Sequence, residues 1–439
     1  MIKYLGSKRR LVPVLSSIAA AAHPRTALDL FTGTTRVAQA FKRAGAHVTA
    51  VDSARYAHVF AQCYVATDAA DVDQPSLIDE IRRLDALPGQ AGYVTETFCR
   101  RARFFQPHNG ERIRKPMKLL VVGGAGYVGS ALIPALLERG YEVDVIDLRW
   151  FGVHLPEEVS VVDKDILSCT PEDLEGYEQV IFLAGLSNDP MAEFDPAMNF
   201  VANAAVPSYL AYLAKLAGVR RVIYASSCSV YGYTVNELYD EDSPATSSYP
   251  YGISKLQGEQ GVLQMRDDRF SAISLRKGTI CGYSPRMRFD LIVNTMYMCC
   301  LRDGEIRVDN PSLWRPILDM RDAVSGYLRA IQADYSISGV FNIASDNYTV
   351  GQVGDKVKHQ MEKLLGRRIG LDIKQIPDLR NYKVTIEKAR TVLGFEPSHD
   401  VTAMIEDLHA HRDLYGDLEA DQYYNIRVFR KMAASSQSS

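Results

Sequence analysis

No stretch of this 439-residue chain reaches the roughly 18 consecutive apolar residues that a membrane-spanning helix needs. The first residues also lack the apolar core and cleavage site of a signal peptide, so a soluble, cytoplasmic protein is expected. An excess of charge of either sign is missing too. Fifty Lys and Arg stand against 53 Asp and Glu, so no overall field draws the chain to nucleic acid or a membrane, and neither is expected as a partner. Cysteine has no pattern: seven thiols, at 63, 99, 169, 228, 281, 299 and 300, match neither a disulfide framework nor a zinc knuckle. A reducing compartment and no bound metal follow. The length predicts two or three domains rather than one core.

The chain is organised around Met117 to Ser130, MKLLVVGGAGYVGS. Leu119 to Val122 form an apolar run suited to a parallel strand buried on both faces, and glycines follow at 123, 126 and 129 before helix-forming sequence resumes. Gly123 permits the turn, Gly126 lets backbone approach a pyrophosphate, and Gly129 lets the helix lie close to the strand. The unpaired N–H groups of the helix start then face the phosphates. A second strand, Glu142 to Ile146, ends in Asp147, 18 residues beyond the last glycine. A carboxylate there accepts both ribose hydroxyls and repels a 2′-phosphate, which favours NAD over NADP, although Arg149 nearby argues the other way. Pro134 is expected to remove a hydrogen bond from this first helix.

Strands and helices then alternate as in a doubly wound parallel sheet: Val159 to Val162, Val180 to Leu183, helix Val201 to Leu216, and strand Val222 to Ala225 followed by Ser226-Ser227-Cys228-Ser229. Strand C-termini line the ligand crevice of such sheets. Tyr251-Gly252-Ile253-Ser254-Lys255 places a phenol and an ammonium one helical turn apart. A tyrosine of pKa about 10 is a poor base at neutral pH. A lysine beside it, together with an oxidised nicotinamide, would bring it towards the working range.

These residues resemble the extended short-chain dehydrogenase/reductase superfamily, in its nucleotide-sugar epimerase and dehydratase branch, over Met117 to about Lys431. The resemblance implies a Rossmann NAD-binding domain over 117–275 and a smaller α/β substrate-binding lobe over 276–430, with a disordered tail at 431–439. Residue by residue it implies a pyrophosphate loop at Gly123, Gly126, Tyr127, Val128 and Gly129. Asp147 takes the ribose, and Asp165 with Ile166 the adenine. Ala184 and Gly185 wall the nicotinamide ribose, and Asn203 is a structural asparagine. Ser227 bonds the reacting hydroxyl, Tyr251 is the base, and Lys255 binds ribose and lowers the phenol's pKa. Arg315 and, after it, Arg380 clamp a sugar-nucleotide diphosphate, with Ser229 and Thr279 beside the substrate. Thr279 stands where the family carries asparagine, which leaves the nucleotide and sugar open. Thr349 reads as a helix N-cap, and Tyr283 to Asp290, with Arg286 and Arg288, as a wall of the substrate entrance.

The implied reaction is NAD-dependent epimerisation of a nucleotide-diphosphate sugar through a transient ketone. Cys228-Ser229 replaces the Asp-Glu pair of 4,6-dehydratases, so dehydration is disfavoured, and Cys228 reads as a small core residue. Many 4-epimerases of this branch carry lysine where Ser187 stands, so an NAD(P)H-dependent keto-sugar reductase is the alternative. Relatives often form homodimers.

Ahead of this lies a different segment, 1–113, joined through 114–116. Strand Ala27 to Phe31, a Thr/Gly turn, helix Thr35 to Ala44 and strand His47 to Val51 ending in Asp52 make one βαβ unit. Lys3 to Lys8 (KYLGSK) and Asp29-Leu30-Phe31-Thr32-Gly33 resemble the cofactor motifs of adenine-specific DNA methyltransferases, as does Phe104 to Ile113 more weakly. Thr35 replaces a loop glycine, and the Asp/Asn-Pro-Pro-Tyr tetrapeptide that holds the flipped adenine occurs nowhere in the chain. The segment therefore reads as a truncated, inactive methyltransferase-like front part, from a fusion or an over-long gene model; methyl transfer to DNA is the remote alternative.

Overall fold

The computed structural model describes residues 26–30, 41, 47–51, 117–377 and 380–437. Two compact units divide the chain, Met1–Gly89 and Gln90–Ser439. In the first, strands Thr26–Leu30 and His47–Val51 pair in parallel, as a βαβ unit requires. The KYLGSK stretch, Asp52, residues 104–113 and the 114–116 junction lie outside the described residues.

In the second unit the apolar run after Met117 becomes strand Lys118–Val122, an interior strand of a seven-stranded sheet. From one edge the order is Gly339–Ile343, Ser271–Lys277, Arg221–Ser227, Gln179–Phe182, Lys118–Val122, Glu142–Ile146 and Ser160–Val162, with every neighbouring pair parallel. Strand side chains alternate between faces, and here both faces are covered. Leu119 and Val121 join one buried cluster with Leu132, Ile133 and Leu136 of helix Tyr127–Leu137, whereas Leu120 and Val122 join another with Leu210, Ala214 and Val262. An uninterrupted apolar strand is the consequence. Chain direction reverses in sequence order between Lys118–Val122 and Gln179–Phe182, and at that switch point the strand ends open into a crevice.

Pro134 lies inside helix Tyr127–Leu137 with no N–H to give, as expected. Two other sequence expectations change. The 275/276 boundary is not a clean cut: strand Gly339–Ile343 closes the dinucleotide sheet beside Ser271–Lys277, and Tyr233–Tyr239 pairs with Asn381–Val384 of the other half. Local periodicity cannot reveal such an exchange, because each strand is apolar wherever it docks. Residues 431–437 are not a disordered tail; they continue helix Asn425–Gln437, consistent with the high helix propensity of Ala433 and Ala434. The N-cap at Thr349 is present, with its hydroxyl accepting from the Gln352 N–H at 3.1 Å and the Gln352 side chain accepting from Thr349.

A buried ion pair fastens the helix that carries Tyr251. Arg276, on strand Ser271–Lys277, donates from Nη2 and Nε to Glu259 of helix Pro250–Gln264, at 2.6 and 3.1 Å, and from Nη1 to the Tyr231 hydroxyl at 2.8 Å. Ser274 donates to the same carboxylate at 2.8 Å, so both oxygens are satisfied away from water. Breaking such a pair from one side leaves a stranded charge. Glu259→Ala is expected to lower unfolding stability by about 3–5 kcal/mol in denaturant titration; a loss below about 1 kcal/mol would show that the pair is not what holds the helix.

Candidate active site

The glycine turn, the ends of five parallel strands and the second lobe enclose one cleft of about 480 Å³. At its floor, Gly123 has φ +78°, and a Cβ there would lie 2.5 Å from the Ala184 nitrogen. Only glycine lets the two strand ends approach so closely. Gly129 faces the Gly124 carbonyl, 2.2 Å from where a Cβ would be, so helix and strand touch through backbone. Asp147 accepts from the Ala125 N–H at 3.0 Å and the Arg149 N–H at 2.7 Å. Burial raises its pKa despite both bonds. The Arg149 guanidinium reaches back to the Val161 carbonyl, which leaves the carboxylate as the group presented beside the turn. Asp165 N-caps a short turn over Ile166–Ser168 by accepting from the Leu167 N–H at 2.9 Å, and both Asp165 and Ile166 line the cleft. These residues fit a dinucleotide: the cradle has no room for a Cβ, and a carboxylate stands one strand over. Gly123, Gly126, Tyr127, Val128, Asp147, Ala184 and Gly185 all face it, while Gly129 and Asn203 lie behind its wall.

Asn203 positions the wall. It sits in a π-helical turn, Val201–Ala205, inside the expected helix. Pro207 has no N–H to give the Asn203 carbonyl, and the Tyr224 hydroxyl donates to that oxygen instead, at 2.8 Å. The Asn203 amide donates to the Leu186 carbonyl at 2.9 Å and to Asn199 Oδ1 at 2.8 Å. One residue thereby ties the loop after strand Gln179–Phe182 to the helices beneath it.

Ser227, Tyr251 and Lys255 line the same cleft. Ser227 ends its strand, accepts from the Ser229 N–H and donates to the Ser229 hydroxyl, each at 3.1 Å, and lies beside the Tyr251 phenol. Lys255, 4% exposed, donates to the Ala225 carbonyl at 3.1 Å and lies 6.0 Å from the Tyr251 ring centre. Burial pushes the Tyr251 phenol above its ordinary range, with Ser227 opposing that rise. Burial, and then Lys277, push Lys255 well below its own. The expected lowering of the phenol by Lys255 is therefore not a property of the protein alone: desolvation disfavours both charged forms and outweighs their pairing. Lys277, also on the cleft, is brought down to about 8 by burial. Cys228 is 1% exposed, its thiol donating to the Arg276 carbonyl at 3.2 Å, and lies in the core rather than the cleft.

Opposite, Ser229, Thr279, Arg315 and Arg380 all face the cleft. Ser229 shares a 3.2 Å hydrogen bond with the Tyr382 hydroxyl, and Arg315 lies over the Tyr382 ring at 5.8 Å. Arg380 pairs with Asp189. Arg286 and Arg288, placed by sequence at an entrance, are buried, 3% and 5% exposed. Sequence reasoning missed Asp189, Lys277, Tyr382, Phe151 and Asn425, all lining residues. Asp189 and Phe151 lie within a few residues of strand ends, which was a usable signal; Asn425 comes from the far end of the chain and carried none. Among the described residues no cluster of three or more His, Cys, Asp or Glu is placed to hold a metal ion, and no helix is long and apolar enough to cross a membrane.

Residues 119–344, just over half of the chain, match the family model described as NAD dependent epimerase/dehydratase family, and residues 4–121 match that of D12 class N6 adenine-specific DNA methyltransferase. The UDP-glucose 4-epimerase of Corynebacterium glutamicum is 24% identical over 69% of this chain and 97% of its own. That of Bacillus subtilis is 25% identical over 66% and 95%. MoeE5, solved in complex with UDP-glucuronic acid and NAD, superposes with a TM-score of 0.60 at 26% identity, covering 68% of this chain and 99% of that one. The UDP-glucuronic acid 4-epimerase from Bacillus cereus shares the fold, with a TM-score of 0.61 at 23% identity over 68% and 100%. A glycine turn, a ribose-side carboxylate and a Ser-Tyr-Lys cleft on a seven-stranded parallel sheet, under a family match of that extent, make this chain a member of the NAD-dependent epimerase/dehydratase family.

Proposed function

We propose that the chain is an NAD-dependent epimerase of a nucleotide-diphosphate sugar. The observation that carries this reading is that Ser227, Tyr251 and, one helical turn on, Lys255 line the same cleft as Arg315 and Arg380. Bound NAD supplies the acceptor, and then the donor, of a hydride. Ser227 holds the reacting sugar hydroxyl while Tyr251 takes its proton, and the carbon becomes a ketone. Arg315 and Arg380 hold the diphosphate and keep the intermediate in the cleft while the ketone presents its other face. Tyr251 then returns the proton to the sugar oxygen, so the epimer leaves with no net oxidation. Lys255 orients the cofactor's ribose and favours the phenolate once positive charge enters the site. Proton removal from a substrate hydroxyl, as its carbon gives up a hydride, suits a phenol placed beside a serine hydroxyl and a lysine. The relatives named UDP-glucose 4-epimerase support a uridine diphosphate sugar as substrate.

A second reading, keto-sugar-nucleotide reductase, rests on one residue. Ser187 accepts from Arg288 Nη1 at 2.9 Å and from the Asn425 amide at 3.0 Å, a polar junction where many 4-epimerases carry lysine. The two readings differ in whether cofactor is consumed. Homodimer formation through helices Val206–Leu216 and Pro250–Gln264 belongs to the proposal; Tyr212 and Leu216 are exposed on the first of them. So does a cytoplasmic location, with no partner among nucleic acids.

Tyr251→Phe is expected to cut interconversion of a UDP-hexose and its 4-epimer by about 10²- to 10⁴-fold, followed by NMR, with NAD binding retained. Turnover equal to that of the parent would remove Tyr251 from the reaction. Stoichiometric NADH oxidation with a 4-keto sugar nucleotide, and no epimer formed, would favour the reductase.

A further inference from the structure

Arg286 is a buried cation without a carboxylate. Its guanidinium stacks on the Phe151 ring at 3.9 Å and donates from Nη2 to Asn425 Oδ1 at 2.5 Å, while Nε is enclosed and bonds to nothing among the described residues. Its neighbour Arg288 shows the contrast. Arg288 is satisfied by Asp290, at 2.7 and 2.9 Å, and by Ser187. Asp290 is thus already engaged, and no ion pair to Arg286 forms among the described residues. Enclosure without a counter-charge, next to Arg288, brings the Arg286 pKa down to about 9. An arrangement of this kind is destabilising unless an anion enters.

The position of Arg286 says which anion. Ser284, two residues before it, donates to the carbonyl of Tyr127, first residue of the helix after the glycine turn, at 2.6 Å, and Phe151, on which Arg286 stacks, lies four residues beyond Asp147. The cleft wall at this end is completed by the C-terminal helix. Phe429 packs edge-on against Trp150 at 5.0 Å and beside Phe151 at 6.1 Å, within a small cluster that includes Leu186 and Met191. Asn425, four residues earlier, bridges Arg286 to Ser187.

We propose that Arg286, held by Asn425 and the stack on Phe151, closes over the phosphates of the bound dinucleotide, so that the C-terminal helix Asn425–Gln437 forms part of the cofactor site. The assignment rests on the NAD reading above. The glycine turn neutralises the pyrophosphate with backbone N–H groups from below, and Arg286 adds a forked donor from the opposite lobe. Filling the site then links the two lobes and the end of the chain.

The test is isothermal titration of the full chain, freed of cofactor, with NAD, adenosine and UDP, for the parent, Arg286→Gln and Arg286→Lys. A charge-assisted hydrogen bond to phosphate predicts that Arg286→Gln weakens NAD by about 10- to 100-fold. Adenosine, which has no phosphate, and UDP should bind as to the parent, and Arg286→Lys should fall between. Thermal melting separates this from a packing role: removal of an uncompensated charge predicts an unchanged or higher melting temperature for the cofactor-free variant, whereas a structural arginine predicts a lower one. NAD affinity within twofold of the parent, or a loss confined to UDP, would overturn the assignment. If the parent itself fails to bind NAD, the cofactor reading falls first and this one with it.

Discussion

The interaction on which the rest of the structure depends is the shared desolvation of Tyr251 and Lys255. On one helix Lys255 is buried and Tyr251 half-buried against the cleft, and desolvation moves each away from its charged form. The cleft is therefore arranged so that charge must be brought into it, and in the proposed mechanism the oxidised cofactor brings it.

Much of the surrounding fold serves to keep that helix still. The Arg276–Glu259 pair fixes it from the sheet side and reaches on to Tyr231 at the turn after Ser227. From the other side, Asn199 donates to the Pro250 carbonyl at 3.1 Å, and Ser254 donates to Asn199 Oδ1 at 3.3 Å. The π-helical turn that Pro207 induces puts Asn203 into the same network. Buried polar groups that bond one another in this way define one arrangement and penalise others. Reacting groups held to a fraction of an ångström are what orientation effects require.

What could be read from the sequence was whatever is encoded locally. The glycine turn, Asp147, Asp165, Ser227 and the Tyr-x-x-x-Lys helix are each specified within a few residues by backbone sterics or helical spacing, and the structure brings Gly123, Asp147, Ser227, Tyr251 and Lys255 to one cleft. What could not be read was long-range. Strand Gly339–Ile343 joins the first lobe's sheet across more than sixty residues from its neighbour, Ser271–Lys277. Asn425 meets Ser187 across 238 residues. Nothing in a local pattern of apolar and polar residues records such a meeting. The state of the Tyr251 phenol without cofactor could not be read for a related reason: spacing shows that two charges can pair, whereas burial, which raises the phenol here, is a tertiary property.

The most direct measurement is an ultraviolet difference titration of the full chain against Tyr251→Phe, which isolates one phenol among 24 tyrosines. Without cofactor, Tyr251 is predicted to stay protonated beyond pH 10, the ordinary value for tyrosine; with saturating NAD its ionisation is predicted to move down towards neutral pH. A phenolate that forms at or below pH 10 in the cofactor-free protein, or one that NAD does not shift, would contradict the account.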